Sequence, residues 1–188
     1  VRSDLLDYRL EVEWFDKHLG LMLAHLEEIG ELDNTLIIVS SDNGMPYPRA
    51  KANLYEFGTR VPLAIRWPDH VAKGRTLDTL VSFIDFAPTL LEAAGVAVPD
   101  TMEGISMIPL LEDEAGTVKH RDYIMTGRER HSHSRFDNWG YPARALRTQE
   151  HLYIWNMKPD RWPAGDPEVY YDIDDCPTKQ FLLKHKDN

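Results

Sequence analysis

The sequence is poor in cysteine and in long apolar runs. It holds one cysteine, Cys176, among 188 residues, which excludes an internal disulfide framework and any zinc site built from several cysteines. No apolar stretch approaches the ~18 residues that a helix needs to cross a bilayer. We therefore predict no membrane-spanning segment.

Positive charge is also scarce. The chain carries 21 Lys and Arg against 31 Asp and Glu, a formal net charge of −10, and this argues against non-specific binding of nucleic acid. The start shows no basic segment followed by an apolar core, so no signal peptide is visible. Because the first residue is valine and a helical pattern begins almost at once, we interpret the chain as the C-terminal part of a longer protein.

Two helices are predicted from apolar spacing. Apolar side chains recur every three or four residues over 7–29, and Gly30 ends the pattern. A second helix is expected over 82–95, with Asp85 as its N-cap and Gly95 as its stop. The residues of the first helix predicted to face the core are Leu10, Trp14, Phe15, Leu19, Met22, Leu26 and Ile29.

An apolar run at 36–39, rich in β-branched residues, lacks polar alternation. It predicts a strand buried on both faces of a helix-covered, mostly parallel sheet, and 61–67 is a second strand candidate. Ligands gather at the carboxyl ends of strands in open α/β sheets. Asp42 and Asn43 follow the first strand directly, so they are candidates to bind a hard cation or a polar substrate. The alternative is a hairpin turn, which Asn43-Gly44 also favours.

The C-terminal third has a different pattern. Short strand candidates at 123–126, 143–148 and 152–155 are separated by turn residues, which predicts a small antiparallel sheet. A short helix is expected over 177–186. A charged, glycine-containing break at 112–119 marks a boundary, so we predict one domain over 1–112 and a subdomain over 113–188.

Several long stretches of the sequence resemble the type I sulfatases of the alkaline-phosphatase superfamily, most closely the heparan N-sulfatase branch. The main stretch is SDNGMPYPRAKANLYEFGTRVPLAIRWP, and VSFIDFAPTLLEAAGV and GRERHSHSRFDNWGYPARALRT are similar as well. In the helix of the second stretch, the resemblance implies that Leu90, Leu91 and Ala94 face the core. The resemblance implies an α/β fold: the C-terminal half of a helix-covered mixed sheet, followed by a small antiparallel α+β subdomain. It also implies a periplasmic, secreted or lysosomal location.

The resemblance assigns roles to three residues of the first domain. Asp42 and Asn43 are implied to be oxygen ligands of Ca²⁺, whose other acidic ligands come from the N-terminal half of the family. Lys51 matches the cation that contacts the sulfate being removed, where it would stabilise the charge that develops in the transition state. Arg49 is the alternative residue for this role. The alternative interpretation of Lys51 is a solvated surface lysine.

A basic loop at 127–135 supplies the local positive charge that the acidic chain otherwise lacks. Guanidinium groups bind sulfate and carboxylate in a bidentate manner. We predict a substrate-specificity loop with Arg128, His131 and His133 as substrate contacts, against the alternatives of a solvated loop or a metal site at the two histidines. Aromatic side chains that either stack on sugar rings or fill the core are Trp139, Tyr141, Trp155 and Trp162.

The formylglycine motif of sulfatases, Cys-x-Pro-Ser-Arg, is missing. Cys176 is followed by Pro-Thr-Lys, so the chain alone is expected to be inactive. The predicted function of the whole protein is hydrolysis of a sulfate ester or sulfamate in a sulfated glycan, with N-sulfoglucosamine of heparan type as the substrate. The alternatives are a phosphoesterase or phosphonate hydrolase of the same superfamily, and a non-catalytic remnant that binds anionic sugars.

Overall fold

A computed structural model describes residues 2–71, 73–131, 133 and 135–186. Short 3₁₀ turns cover Phe83–Asp85 and Phe136–Asn138. The helices and strands, in chain order, are α1 (Arg2–Glu28), β1 (Ile37–Ser40), α2 (Glu56–Thr59), β2 (Leu63–Arg66), α3 (Phe86–Ala93), α4 (Ile108–Glu112), β3 (Ile124–Arg128), β4 (Ala143–Arg147), β5 (Leu152–Asn156) and α5 (Pro177–Lys184).

The first sheet pairs β1 with β2 in antiparallel register, from Ile37 opposite Arg66 to Ser40 opposite Leu63. The expectation of parallel pairing is therefore not met by this pair, because an apolar run indicates an extended segment but carries no information on strand direction. Every residue of β1 is half-buried. A tight hairpin at Asn43-Gly44 does not form, since the partner strand begins only at Leu63, although the chain does bend at this position.

The second sheet confirms the antiparallel prediction, with strand order β3-β4-β5. Its inner face carries Ala143 and Ala145, each 3% exposed, and the partly buried Leu152 and Ile154 pack against them. Leu54, from the long loop after β1, belongs to the same apolar cluster. This contact anchors the loop that holds Lys51 to the second sheet.

The predicted apolar face of α1 is not a core in the described chain. Leu10 is 61% exposed and Trp14 is 58% exposed, because an apolar stripe is buried only where another surface packs on it. Of the seven predicted core positions, Leu19 and Leu26 are half-buried. The described helices include none that combines the length and the apolar character that crossing a membrane demands.

The core prediction for α3 is also wrong in part, since Leu90 is 47% exposed and Ala94 is exposed. The buried residues of α3 are Pro88 and Thr89. The Thr89 hydroxyl donates to Asp85 O at 2.5 Å and accepts from Met107 N at 2.8 Å. The second of these bonds joins α3 to the start of α4. The helix does end as predicted, at Gly95 with φ of +68°.

Asp85 lies at the N-cap position of α3, but its carboxylate does not cap that helix. It is fully buried and accepts from the backbone N of Ser82 and of Ile105, each at 2.9 Å. His120 Nε2 lies 3.0 Å away, and Arg121 donates to both carboxylate oxygens. Asp85 therefore joins three segments that are distant in the sequence.

Candidate functional site

A tight bend at the carboxyl end of β1 presents Asp42 and Asn43. Ser41 Oγ donates to Asn43 O at 2.8 Å, and Asn43 N donates to Asp42 Oδ1 at 3.0 Å. Gly44 is required here, because a Cβ at this position would lie 1.7 Å from Phe57 O. The bend therefore packs closely against the backbone of α2. The Asp42 side chain is exposed.

The donor set of this bend fits a hard cation. Asn43 Nδ2 donates to Gly44 O at 2.8 Å, so the amide oxygen faces the other way. That oxygen and the Asp42 carboxylate are the ligand types that Ca²⁺ prefers, although the ion takes about six to eight oxygens. Among the residues described, no group of three or more His, Cys, Asp or Glu side chains is placed to hold a metal. The pair is a partial ligand set.

Lys51 lies in a strained part of the loop. The residues on either side of the Ala50-Lys51 pair, Arg49 and Ala52, have left-handed φ angles of 65° and 63°, which cost energy in residues with a Cβ and occur often at functional sites. Lys51 N donates to Met45 O at 3.0 Å, and Ala50 is 2% exposed. The backbone thus holds the base of the lysine side chain in one place.

The two candidate cations of this loop have different partners. Lys51 Nζ donates to Asp174 Oδ2 at 2.7 Å, and both side chains are 34% exposed. The Arg49 guanidinium instead lies 4.5 Å from the centroid of the Tyr55 ring. Lys51 therefore keeps an accessible ammonium, while Arg49 stacks on an aromatic face.

Three residues of the predicted basic loop meet at Asp172, a carboxylate whose side chain is fully buried. Arg135 Nη2 lies 2.6 Å and Arg128 Nη2 lies 3.4 Å from Asp172 Oδ2, and His131 Nδ1 lies 3.5 Å from Oδ1. A buried carboxylate requires such cationic partners. Sequence reasoning missed Asp172 because a short acidic run near the C-terminus is typical of a solvated surface.

Arg128 connects this cluster to the loop of Lys51. Its Nη1 donates to Ala52 O, and its guanidinium lies 5.2 Å from the ring centroid of the buried Tyr141. Burial lowers the pKa of Arg128, although the Asp172 charge opposes that shift. Within the described residues, Arg128 Nε is buried without a hydrogen-bond partner, and Arg128 lines an open cleft together with Asp42 and Ala52.

His133 lies apart from this cluster. It is exposed, and its Nδ1 lies 2.9 Å from Asn138 Oδ1. The four aromatic residues predicted either to stack on sugars or to fill the core differ in exposure. Tyr141 is 6% exposed and belongs to the core. About half of the surface of the other three is exposed and available for stacking: Trp139, Trp155 and Trp162.

A comparison of the sequence with known families shows which family the chain belongs to. The family model described as "N-sulphoglucosamine sulphohydrolase, C-terminal" matches residues 49–155. The chain belongs to this family. The matched part of this sulphohydrolase region contains Lys51, Arg128, His131 and His133. The resemblance to the type I sulfatases is thereby confirmed.

Similar proteins agree with this assignment. The N-sulphoglucosamine sulphohydrolase of Homo sapiens is 33% identical over 97% of this chain and 36% of its own length. The N-acetylglucosamine-6-O-sulfatase of Bacteroides thetaiotaomicron is 42% identical over 59% of this chain and 21% of its own length. The sulphohydrolase region thus spans well under half of these curated relatives.

A solved structure of similar fold covers 91% of this chain and 37% of its own, with a TM-score of 0.57 and 27% sequence identity. That protein was determined in complex with its substrate, D-glucosamine-2-N,6-O-disulfate. The likeness supports the predicted fold class, a C-terminal portion of a sulfatase α/β fold with a small antiparallel sheet.

Proposed function

We propose that the protein containing this chain is a sulfatase that removes sulfate from a sulfated glycosaminoglycan, with N-sulfoglucosamine of heparan type as its substrate. The observation that carries this proposal is the family match over 49–155, which includes Lys51 and the whole basic loop. The human relative, itself an N-sulphoglucosamine sulphohydrolase, aligns with nearly the whole chain.

Within this proposal, Lys51 contacts the sulfate that leaves. An ammonium has three donors, and Asp174 accepts one of them at 2.7 Å, so two remain for sulfuryl oxygens. Asp42 and Asn43 hold Ca²⁺, and the bound ion supplies positive charge to the sulfate. The nucleophile comes from outside this chain, because Cys176 has a structural role: its Sγ accepts from Lys179 N at 3.4 Å and caps α5.

Arg128, His131 and His133 are proposed to recognise the sugar and its anionic groups. Arg128 lines the same cleft as Asp42. The His131 side chain is 29% exposed and lies 3.5 Å from Asp172, which also pairs with Arg128. His133 is exposed. Charged hydrogen-bond donors are suited to substrate recognition when they lie on a loop that is supported by a rigid sheet.

The substrate proposal is tested with the full-length protein and three compounds: N-sulfoglucosamine, glucosamine 6-O-sulfate and an aryl phosphate. We expect the highest kcat/KM for sulfate release from N-sulfoglucosamine. Faster release from the 6-O-sulfate would favour the second candidate, a 6-O-sulfatase, which the 42% identical Bacteroides relative supports. Preferred cleavage of the phosphate, or no cleavage of any compound, would contradict the sulfatase proposal.

Replacing Asp42 by alanine removes a proposed Ca²⁺ ligand. We expect the Ca²⁺ affinity of the full-length protein to fall by at least about tenfold, since even second-shell changes at metal sites have effects of that size. Calorimetric titration with CaCl₂ measures it. Asp33→Ala is the matched control, because Asp33 is also an exposed carboxylate near β1 and is paired with Arg66 at 2.7 Å. Equal Ca²⁺ affinity in both variants would contradict the assignment.

A further inference from the structure

One short segment near the C-terminus, residues 172–174, contacts both groups of candidate site residues. Asp172 accepts from the cations of the basic loop, and Asp174 accepts from Lys51. The backbone of this acidic segment is itself held in place: Asp172 N donates to Ala164 O at 3.2 Å, and Lys179 Nζ donates to Ile173 O at 2.9 Å. The two carboxylates are therefore presented from a fixed support.

The Lys51 side chain is held at both ends. At its base, the strained loop places the backbone through the bond from Lys51 N to Met45 O. At its tip, Asp174 accepts from Nζ. A lysine ammonium otherwise moves on a flexible four-carbon stem. Two fixed ends restrict the ammonium to a small region.

We propose that Asp174 is a positioning residue that sets the location of the Lys51 ammonium for contact with sulfate. This inference rests on the proposed function, in which Lys51 contacts the sulfate that leaves. The neighbouring carboxylate does not take this role, because Asp175 Oδ1 accepts from Gln180 Nε2 at 2.6 Å and is directed to α5.

The negative charge of Asp174 allows positioning of the Lys51 ammonium to be distinguished from attraction of the substrate. A carboxylate beside an anion-binding ammonium repels an anionic substrate, so Asp174 does not strengthen substrate binding. Its contribution lies in the geometry of the reacting complex, where small displacements cost rate. Loss of Asp174 should therefore lower kcat while KM stays constant or falls.

The first experiment measures kcat and KM of the full-length enzyme on its sulfated substrate. We expect Asp174→Ala to lower kcat by about tenfold without raising KM. Asp174→Asn should restore part of kcat, because the amide oxygen still accepts from Lys51. Asp175→Asn, which removes the same charge one residue later, should leave both constants unchanged. In Lys51→Ala, adding Asp174→Ala should cause no further loss, since Asp174 acts through Lys51.

An unchanged kcat in Asp174→Ala overturns the inference, as does an additive loss in the double variant. A second measurement is independent of turnover: the rate at which an amine-directed acylating reagent modifies Lys51, followed by mass spectrometry. We expect Asp174→Ala to raise this rate about two- to fivefold, the range of a partly exposed ion pair, and Asp175→Asn to leave it unchanged. Equal modification rates in both variants overturn the positioning role, whether or not the wild type releases sulfate. Absence of sulfate release by the wild type separately overturns the proposed function.

Discussion

Replacement of Lys51 by alanine is expected to lower kcat of the full-length enzyme by about 10²–10³-fold, the effect of removing one group that stabilises transition-state charge. In the proposed reaction, negative charge grows on the sulfuryl oxygens and on the leaving nitrogen as the S–N bond breaks. An ammonium held by the loop and by Asp174 at 2.7 Å needs no rearrangement to meet that charge. Steady-state kinetics on the sulfated substrate measure the loss.

Two matched variants accompany this measurement. Lys51→Arg keeps the positive charge and should retain more activity than the alanine variant. Arg49→Ala removes the neighbouring cation, which stacks on Tyr55, and should change kcat far less. If Arg49→Ala lost as much activity as Lys51→Ala, with unfolding temperatures unchanged, the assignment of Lys51 as the sulfate contact would be wrong.

Replacement of Asp85 by alanine is expected to destabilise the folded protein by about 3–5 kcal/mol, the cost of removing one partner from a buried ion pair. The change leaves the Arg121 guanidinium and the backbone N–H groups of Ser82 and Ile105 without their acceptor. His120, whose side chain is 3% exposed, loses its carboxylate as well. Urea unfolding of the full-length protein at neutral pH measures the difference.

The same carboxylate predicts a pH dependence. Burial by itself raises the pKa of Asp85, but the hydrogen bonds from Arg121, Ile105, Ser82 and His120 outweigh it and lower the pKa to about 2, from 3.8. The resulting stabilisation, on the order of 2 kcal/mol, is present above pH 3.8 and is lost as the pH falls towards 2. Asp85→Ala should lack this acid-sensitive part of the unfolding free energy.

The control for both measurements is Asp122→Asn, which changes an exposed carboxylate next to Arg121. It should retain the neutral-pH stability and the acid dependence of the wild type. A loss below about 1 kcal/mol in Asp85→Ala would contradict the structural role of this network, because ordinary surface substitutions have effects of that size.

Local patterns in the sequence account for much of the fold. The helix predicted over 7–29 is observed over Arg2–Glu28, and the strand predicted over 36–39 is observed over Ile37–Ser40. The antiparallel sheet of β3-β4-β5 follows from strand patterns separated by turn residues. The bend at Asp42 lies where a strand end predicts a site. These features depend on neighbours within a few residues along the chain, and for that reason the sequence alone indicates them.

The exposure of α1 and of Leu90 was not predictable in the same way. Apolar spacing shows which face of a helix can be buried, but burial needs a second surface. The direction of β1 relative to β2 is likewise absent from an apolar run. In both cases the missing information concerns another part of the fold.

Residue patterns and the family resemblance indicated the candidate ligands Asp42 and Asn43, the candidate sulfate contact Lys51 and the basic loop at 127–135. The partners of these residues became visible in the folded structure. Asp174 meets Lys51 across 123 residues of sequence, and Asp172 meets Arg135 across 37. An acidic run has no preferred partner until packing brings a cation within a few ångströms and removes water from around it. That packing turns Asp172 and Asp174 from two surface-like carboxylates into the support of the proposed site.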